Sequence, residues 1–77
     1  MMARLPVLSG RQLVKLFVRL GWAVARQRGS HIILTKPGHL STLSIPDHRE
    51  VAQGTLRGLL QAADMTPEYF TRMARGK

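Results

Sequence analysis

At the centre of the chain lies the run RQRGSHIILTK, residues 26–36. Gly29 permits a sharp turn, and the residues after it are rich in β-branched side chains. The run therefore predicts a turn followed by a strand over 30–36, with His31 near the start of that strand. The cations closest to His31 in the sequence are Arg26, Arg28 and Lys36.

Two further strands are predicted on either side of this run. Upstream, residues 22–27 alternate, and a regular strand would place Trp22, Val24 and Arg26 on one side. Downstream, residues 36–39 carry Pro and Gly at the two central positions of a turn and lead into a strand over 40–45. Three consecutive strands joined by short turns form an antiparallel meander.

The middle strand is expected to have one covered and one open face. If Ile32 and Leu34 point toward the helices, strand alternation places His31, Ile33 and Thr35 on the open face. Ile33 leaves a second reading in place, with this end of the strand buried on both sides.

Helices are predicted before and after the strands. Ser9 and Gln12 form a capping box for a first helix over 10–20, and Gly21 supplies its left-handed end. The apolar stripe of this helix consists of Leu13, Leu16, Phe17 and Leu20, widened by Val14 and Val18. A second helix is expected to begin near Gly54-Thr55, with Leu56, Leu59, Leu60 and Ala63 buried and Gly58 marking close packing on a neighbour. A short third helix is expected after Thr66-Pro67-Glu68, followed by a frayed basic tail over 72–77.

These elements predict an α+β fold of order α-β-β-β-α, with a short extra C-terminal helix. Both long helices would cover one face of a three-stranded antiparallel sheet, which is the architecture of double-stranded RNA-binding domains. Residues 1–77 are expected to form one domain with its core over about 9–70, and the second face of the sheet is left to water or a partner.

Composition limits the function. Twelve Lys and Arg against four Asp and Glu give a net charge of +8, which points to a polyanionic partner, with nucleic acid first and an acidic protein second. The chain has no cysteine, its three histidines are scattered and no acidic triad is visible, so neither a metal nor another cofactor is expected. Lys15 and Arg19 interrupt the apolar run 13–25, so we expect an amphipathic helix of a cytoplasmic protein and neither a signal peptide nor a membrane span.

Two groups of cations have open interpretations. Arg11, Lys15 and Arg19 follow at intervals of four along the first helix, where they form either a solvated face or a phosphate-binding ridge. The absence of Glu from this helix favours phosphate contact. Arg57, early in the second helix, is placed equally well for either role.

Several segments together resemble the HicA-type mRNA interferase toxins. They are Ser9-Gly10, residues 26–31 (RQRGSH), residues 45–48 (IPDH), residues 54–57 (GTLR) and residues 59–63 (LLQAA). The resemblance covers about residues 9–70. Asp64 departs from it, since the family more often has a helix-ending glycine there, and Gly58 replaces a more polar residue.

The resemblance implies the toxin of a type II toxin–antitoxin pair that cleaves mRNA with His31. It also implies a HicB-type antitoxin that covers the active site. The residues expected to contact RNA are Arg26, Arg28, Gly29, Ser30, Lys36, Lys15 and Arg57. Imidazole can serve as general acid or general base without a metal, and both assignments remain open for His31.

Other residues and functions compete with this interpretation. His48 is either a second proton carrier or a loop residue, His39 is expected to be an ordinary turn residue, and Trp22 is expected in the core rather than stacked on a base. A non-catalytic RNA-binding module would have the same charge and fold. A protein-interaction domain that docks an acidic partner is the third alternative.

Overall fold

The computed structural model describes residues 5–76 and confirms the predicted α+β architecture. The elements are α1 (Gly10–Arg19), β1 (Ala23–Arg28), β2 (His31–Thr35), β3 (Leu43–Pro46), α2 (Gln53–Ala62) and α3 (Pro67–Arg75). The strands form one antiparallel sheet in the order β1-β2-β3, so β1 and β3 are its edges. None of the described helices is both long and apolar enough to cross a membrane.

Local signals set both ends of α1 as predicted. The Ser9 hydroxyl accepts from the Gln12 amide at 3.1 Å, and the Gln12 side chain accepts from the Ser9 amide at 2.9 Å. At the other end, Gly21 takes a φ of +105°. The amides of Gly21 and Trp22 then donate to Val18 and Phe17, which is the Schellman pattern that ends many helices.

The predicted range of β3 is wrong at its start. Leu43 pairs with Leu34 and Pro46 pairs with His31, so the strand begins three residues later than expected and includes Pro46. Because β2 ends at Thr35, residues 40–42 have almost no strand residues left to pair with, and Leu40 is fully exposed. The turn at residues 36–39 is as predicted, with Gly38 at a φ of +79° and the His39 amide bonded to the Lys36 carbonyl.

The core lies between one face of the sheet and the helices. Ile32, Leu34, Leu43 and Ile45 are buried from the sheet side, α1 packs on β1 and β3, and α2 packs on β3 and α3. From outside the sheet, the core receives Leu5, Leu13, Phe17, Trp22, Val51, Leu56, Leu59, Leu60, Ala63 and Phe70. Trp22 is therefore a core residue as expected, whereas Val18 stays 46% exposed and does not widen the stripe.

Close packing of a helical glycine, predicted for Gly58, occurs at Gly10 instead. Gly58 has open space around it, so it does not mark close packing. At Gly10, by contrast, an added Cβ would lie 2.0 Å from the Pro46 carbonyl oxygen. The first turn of α1 therefore meets the end of β3 backbone to backbone.

The C-terminal helices differ from expectation at their ends. α2 begins at Gln53 without a side-chain cap, and Asp64, two residues after its last helical residue, takes the left-handed conformation with φ +58°. Thr66 caps α3 and Pro67 follows it, as predicted. This helix continues to Arg75, so residues 72–75 are helical rather than frayed, and Lys77 lies outside the described residues.

Candidate active site

His31 lies at the start of β2 on the open face of the sheet. The burial of β2 alternates, with His31 exposed and Ile32 and Leu34 buried, as the predicted orientation requires. Its cross-strand partners are Arg28 on β1 and Pro46 on β3. Directly opposed residues have Cβ atoms about 4.5–5.5 Å apart, so the Arg28 side chain starts beside the imidazole.

A β-bulge brings both arginines of β1 to this face. Val24 pairs with Leu34 and Arg26 pairs with Ile33, so Ala25 is an extra residue without a partner. The bulge reverses the alternation that follows it. Val24 and Gln27 therefore lie on the covered side of the sheet.

On the open face, Arg26 lies opposite Ile33 and Arg28 lies opposite His31. The predicted placement of Arg26 on the same side as Trp22 and Val24 is thus wrong. A regular strand would have directed two arginines toward the apolar helices. Two charged residues at positions that regular alternation directs toward an apolar core are therefore the feature of the sequence that indicates a bulge.

The turn before His31 is fixed by glycine and by two hydrogen bonds. Gly29 has a φ of +58°, which a two-residue type II′ hairpin turn requires at its first position. The Gln27 side-chain amide donates to the Gly29 carbonyl at 3.2 Å. The amide of Asp47 donates to the Ser30 carbonyl at 2.7 Å, which ties the turn to the loop after β3.

Asp47 also ties this loop to α1. Arg11 donates through Nε to Asp47 Oδ1 at 3.2 Å and through Nη2 to Oδ2 at 3.3 Å. The side-chain hydrogen bonds and the charge of Asp47 raise the pKa of Arg11 above its ordinary value. The Gly10 amide donates to the His48 carbonyl at 2.9 Å in the same region. The start of α1, the loop after β3 and the turn before His31 therefore form one connected support.

Three of the predicted RNA-contacting residues lie away from His31 and the two arginines of β1. Lys36 follows the other end of β2, about 17 Å from His31 at the usual rise per residue, and its ammonium lies 5.9 Å from the centre of the Trp22 ring. Lys15 is exposed on α1, on the covered side of the sheet. Arg57 belongs to α2 on that same side and is half-buried. The predicted site residues that the structure brings together are Arg26, Arg28, Gly29, Ser30 and His31.

The other two histidines have different surroundings. His48 is exposed in the loop after β3, two residues beyond the cross-strand partner of His31. The His39 ring lies 4.9 Å from the Trp22 ring, and its Nε2 lies 3.2 Å from Asp64 Oδ2 without hydrogen-bond geometry. His39 is therefore packed into the fold at the end of the sheet remote from His31. Among residues 5–76, no three His, Asp or Glu side chains converge as metal ligands would.

Comparison with known proteins identifies the family. The sequence model described as the HicA toxin of bacterial toxin–antitoxin matches residues 10–65, which include α1, the whole sheet and α2. Comparison with curated proteins and with solved structures gives no significant match. Because the matched segment is well over half of the chain, the chain belongs to the HicA toxin family of bacterial toxin–antitoxin systems.

Proposed function

We propose that this toxin is a cytoplasmic endoribonuclease that cleaves mRNA and uses His31 as its catalytic residue. The single observation that carries the proposal is the placement of His31 on the open face, opposite Arg28 and near Arg26. An exposed imidazole beside two guanidinium groups provides a proton-transfer group next to a phosphate-binding surface. Family membership supports a toxin role for this surface.

The proposed reaction uses the ribose 2′-hydroxyl as nucleophile. Its oxygen attacks the adjacent phosphorus while its proton passes to a base, and the bond from phosphorus to the 5′-oxygen breaks as that oxygen receives a proton. The products are a 2′,3′-cyclic phosphate and a 5′-hydroxyl. His31 serves as the base or as the acid in this scheme, and Arg26 and Arg28 stabilise the charge that develops on the phosphoryl oxygens. No step needs a metal.

His48 is the candidate for a second proton carrier. It is exposed, and it follows Pro46, the residue paired with His31, by two positions. In the competing interpretation it is only a loop residue whose carbonyl accepts from Gly10. Loss of cleavage in His48→Ala with intact RNA binding would support the first role, and unchanged cleavage would support the second.

The proposal is tested by incubating the purified toxin with a structured mRNA in EDTA. We expect fragments with the wild type and none with His31→Ala. Because His31 is exposed, its replacement should change the free energy of unfolding by no more than about 0.5 kcal/mol. RNA binding should also persist. Ser44→Ala is the matched control, since Ser44 is exposed on the same face opposite Ile33 and carries no group that titrates near neutral pH.

Other outcomes would point elsewhere. Cleavage by His31→Ala would remove this histidine from the mechanism, and cleavage that needs a divalent ion would contradict the metal-independent route. Intact RNA with salt-sensitive binding would favour a non-catalytic RNA-binding module. Absence of RNA affinity at physiological salt would leave only the docking of an acidic protein.

We propose that an antitoxin inhibits the toxin by covering its active site. A toxin–antitoxin family implies an antitoxin partner. We take it to be of HicB type and to cover His31 and the surrounding arginines with an acidic surface, because the net charge of this chain is +8. Addition of the cognate antitoxin should then stop cleavage and displace RNA together.

A further inference from the structure

A groove lies between α1 and β1 on the covered side of the sheet edge. It encloses about 320 Å³ and is lined by Arg11, Val14, Lys15, Val24, Gln27 and Ile32. We call it the α1–β1 groove. It exists because α1 does not fully cover β1, all six residues of which are exposed.

The lining has an aliphatic floor and a polar rim. Val24 is 50% exposed, and Ile32, at 8%, closes the bottom of the groove together with half-buried Val14. The rim carries Lys15 and Arg11, and the guanidinium of Arg11 is already bonded to Asp47, so Lys15 is the cation that the groove offers to a ligand. The Gln27 amide is held by its bond to the Gly29 carbonyl. An occupant with a flat apolar body, polar edges and a neighbouring negative charge would match all of these groups.

The α1–β1 groove and His31 lie at the same end of the sheet. Gln27 lines the groove on one face of the sheet, and the next residue, Arg28, lies opposite His31 on the other face. Because β1 is an edge strand, no further strand lies beside it, and a ligand can pass around β1 from one face of the sheet to the other. A single strand of RNA held by Arg28 can therefore turn around this edge.

We infer that the α1–β1 groove binds one unpaired base of the RNA strand whose phosphate lies at His31, with Lys15 on the phosphate of that nucleotide. This inference rests on the proposed function and adds a subsite to it. The ring would contact Val14, Val24 and Ile32, and its polar edge would meet Gln27. An apolar side chain of a partner protein would use the floor but leave Lys15 without a counterpart, so the lining favours a nucleotide.

The test compares two strands that differ only in their bases. One is a single-stranded 2′-O-methyl RNA dodecamer of mixed sequence, which cannot be cleaved by attack of a 2′-hydroxyl, and the other is the matching strand without bases. Fluorescence anisotropy measures the affinity of each. We expect the wild type to prefer the strand with bases by about tenfold, the order expected when one face of a base is removed from water against aliphatic side chains.

Val24→Gln is the diagnostic variant, because the longer polar side chain would occupy the groove. It should reduce the preference for bases to about twofold or less while leaving the affinity for the abasic strand nearly unchanged, since phosphate contacts do not involve Val24. Val18→Gln is the matched control. Val18 is also a valine, 46% exposed against 50% for Val24, and it lies on α1 outside the groove. It should keep the wild-type preference.

The outcomes separate this inference from the proposed function. RNA binding with an unchanged preference in Val24→Gln, or a wild type that binds both strands equally, would overturn the groove and leave the nuclease standing. A wild type that binds neither strand would overturn both. An unchanged preference with weaker binding of the cognate antitoxin would assign the groove to a protein side chain. Should Val24→Gln not fold, Val24→Ala gives a milder form of the same comparison, because it removes part of the aliphatic floor at a half-exposed position.

Discussion

Among the glycines that the structure describes, Gly10 should be the least tolerant of replacement by alanine. The new Cβ would lie 2.0 Å from the Pro46 carbonyl oxygen, 3.0 Å from its carbonyl carbon and 3.1 Å from the Asp47 Cα. All three atoms belong to backbone, so no flexible side chain can move aside. A carbon and an oxygen normally approach no closer than about 3.3 Å, so α1 must move by roughly 1 Å away from the loop.

The magnitude follows from what this movement breaks. Overpacking of this kind costs about 1–3 kcal/mol. The bond from the Gly10 amide to the His48 carbonyl, 2.9 Å long, would be stretched as well, at a further cost of roughly 1 kcal/mol. We therefore expect the free energy of unfolding to fall by about 2–4 kcal/mol, or Tm by roughly 10–30 °C for a domain of this size.

Urea denaturation followed by the fluorescence of Trp22 measures this loss. Trp22 is 3% exposed and is the single tryptophan, so its emission reports on the core. Gly58→Ala is the matched control, because Gly58 is also helical but has no atom within 4 Å of the added Cβ. It should raise stability by about 0.5–1 kcal/mol through helix propensity. Equal effects of the two substitutions, or a Gly10→Ala protein as stable as the wild type, would refute the backbone contact.

Two other substitutions test local features. Ser9→Ala removes the side-chain acceptor for the Gln12 amide and should lower the free energy of unfolding by about 1 kcal/mol in urea denaturation, whereas an unchanged midpoint would mean that the capping box is not stabilising. Gly29→Ala and Gly38→Ala both place a side chain at positive φ with open space around it, so each should cost roughly 1 kcal/mol of stability. Only Gly29→Ala should also slow RNA cleavage, because Gly29 belongs to the turn that orients His31, and equal cleavage rates in the two variants would contradict that role.

Local signals in the sequence were sufficient where a few adjacent residues determine the conformation. The capping box at Ser9, the turn at residues 36–39 and the proline start of α3 all depend on such residues, and all three were predicted. The predicted start of α2, near Gly54-Thr55, differs from the observed start at Gln53 by one residue, and Ala52 offers no side-chain cap that would mark it.

Features that depend on distant parts of the chain were missed. The length of β3 is set by how many residues β2 offers for pairing, so the alternation in residues 40–42 was misleading. The contact of Gly10 involves Pro46 and Asp47, which no local pattern around residue 10 reveals. Gly58 looked more significant than Gly10 only because a glycine inside a helix is locally unfavourable.

The candidate site was predicted in part. The open-face position of His31 agrees with the alternation of β2, because that strand is regular. The grouping of Arg26 and Arg28 with His31 depends on the bulge at Ala25, which strict alternation cannot include. Lys36 is close to His31 in sequence but lies at the far end of the same strand, because an extended strand separates its ends.

The position of Phe70 has a consequence for the minimal length of this toxin. Its side chain has no exposed surface, and its ring lies 5.8 Å from that of Phe17, yet it follows the last residue of the family match by five positions. Leu5 is likewise buried before the match begins. A protein trimmed to the shared region would keep His31 and every strand but would leave a ring-sized void beneath α1. The segment that the family model matches is therefore shorter than the packed core of this chain.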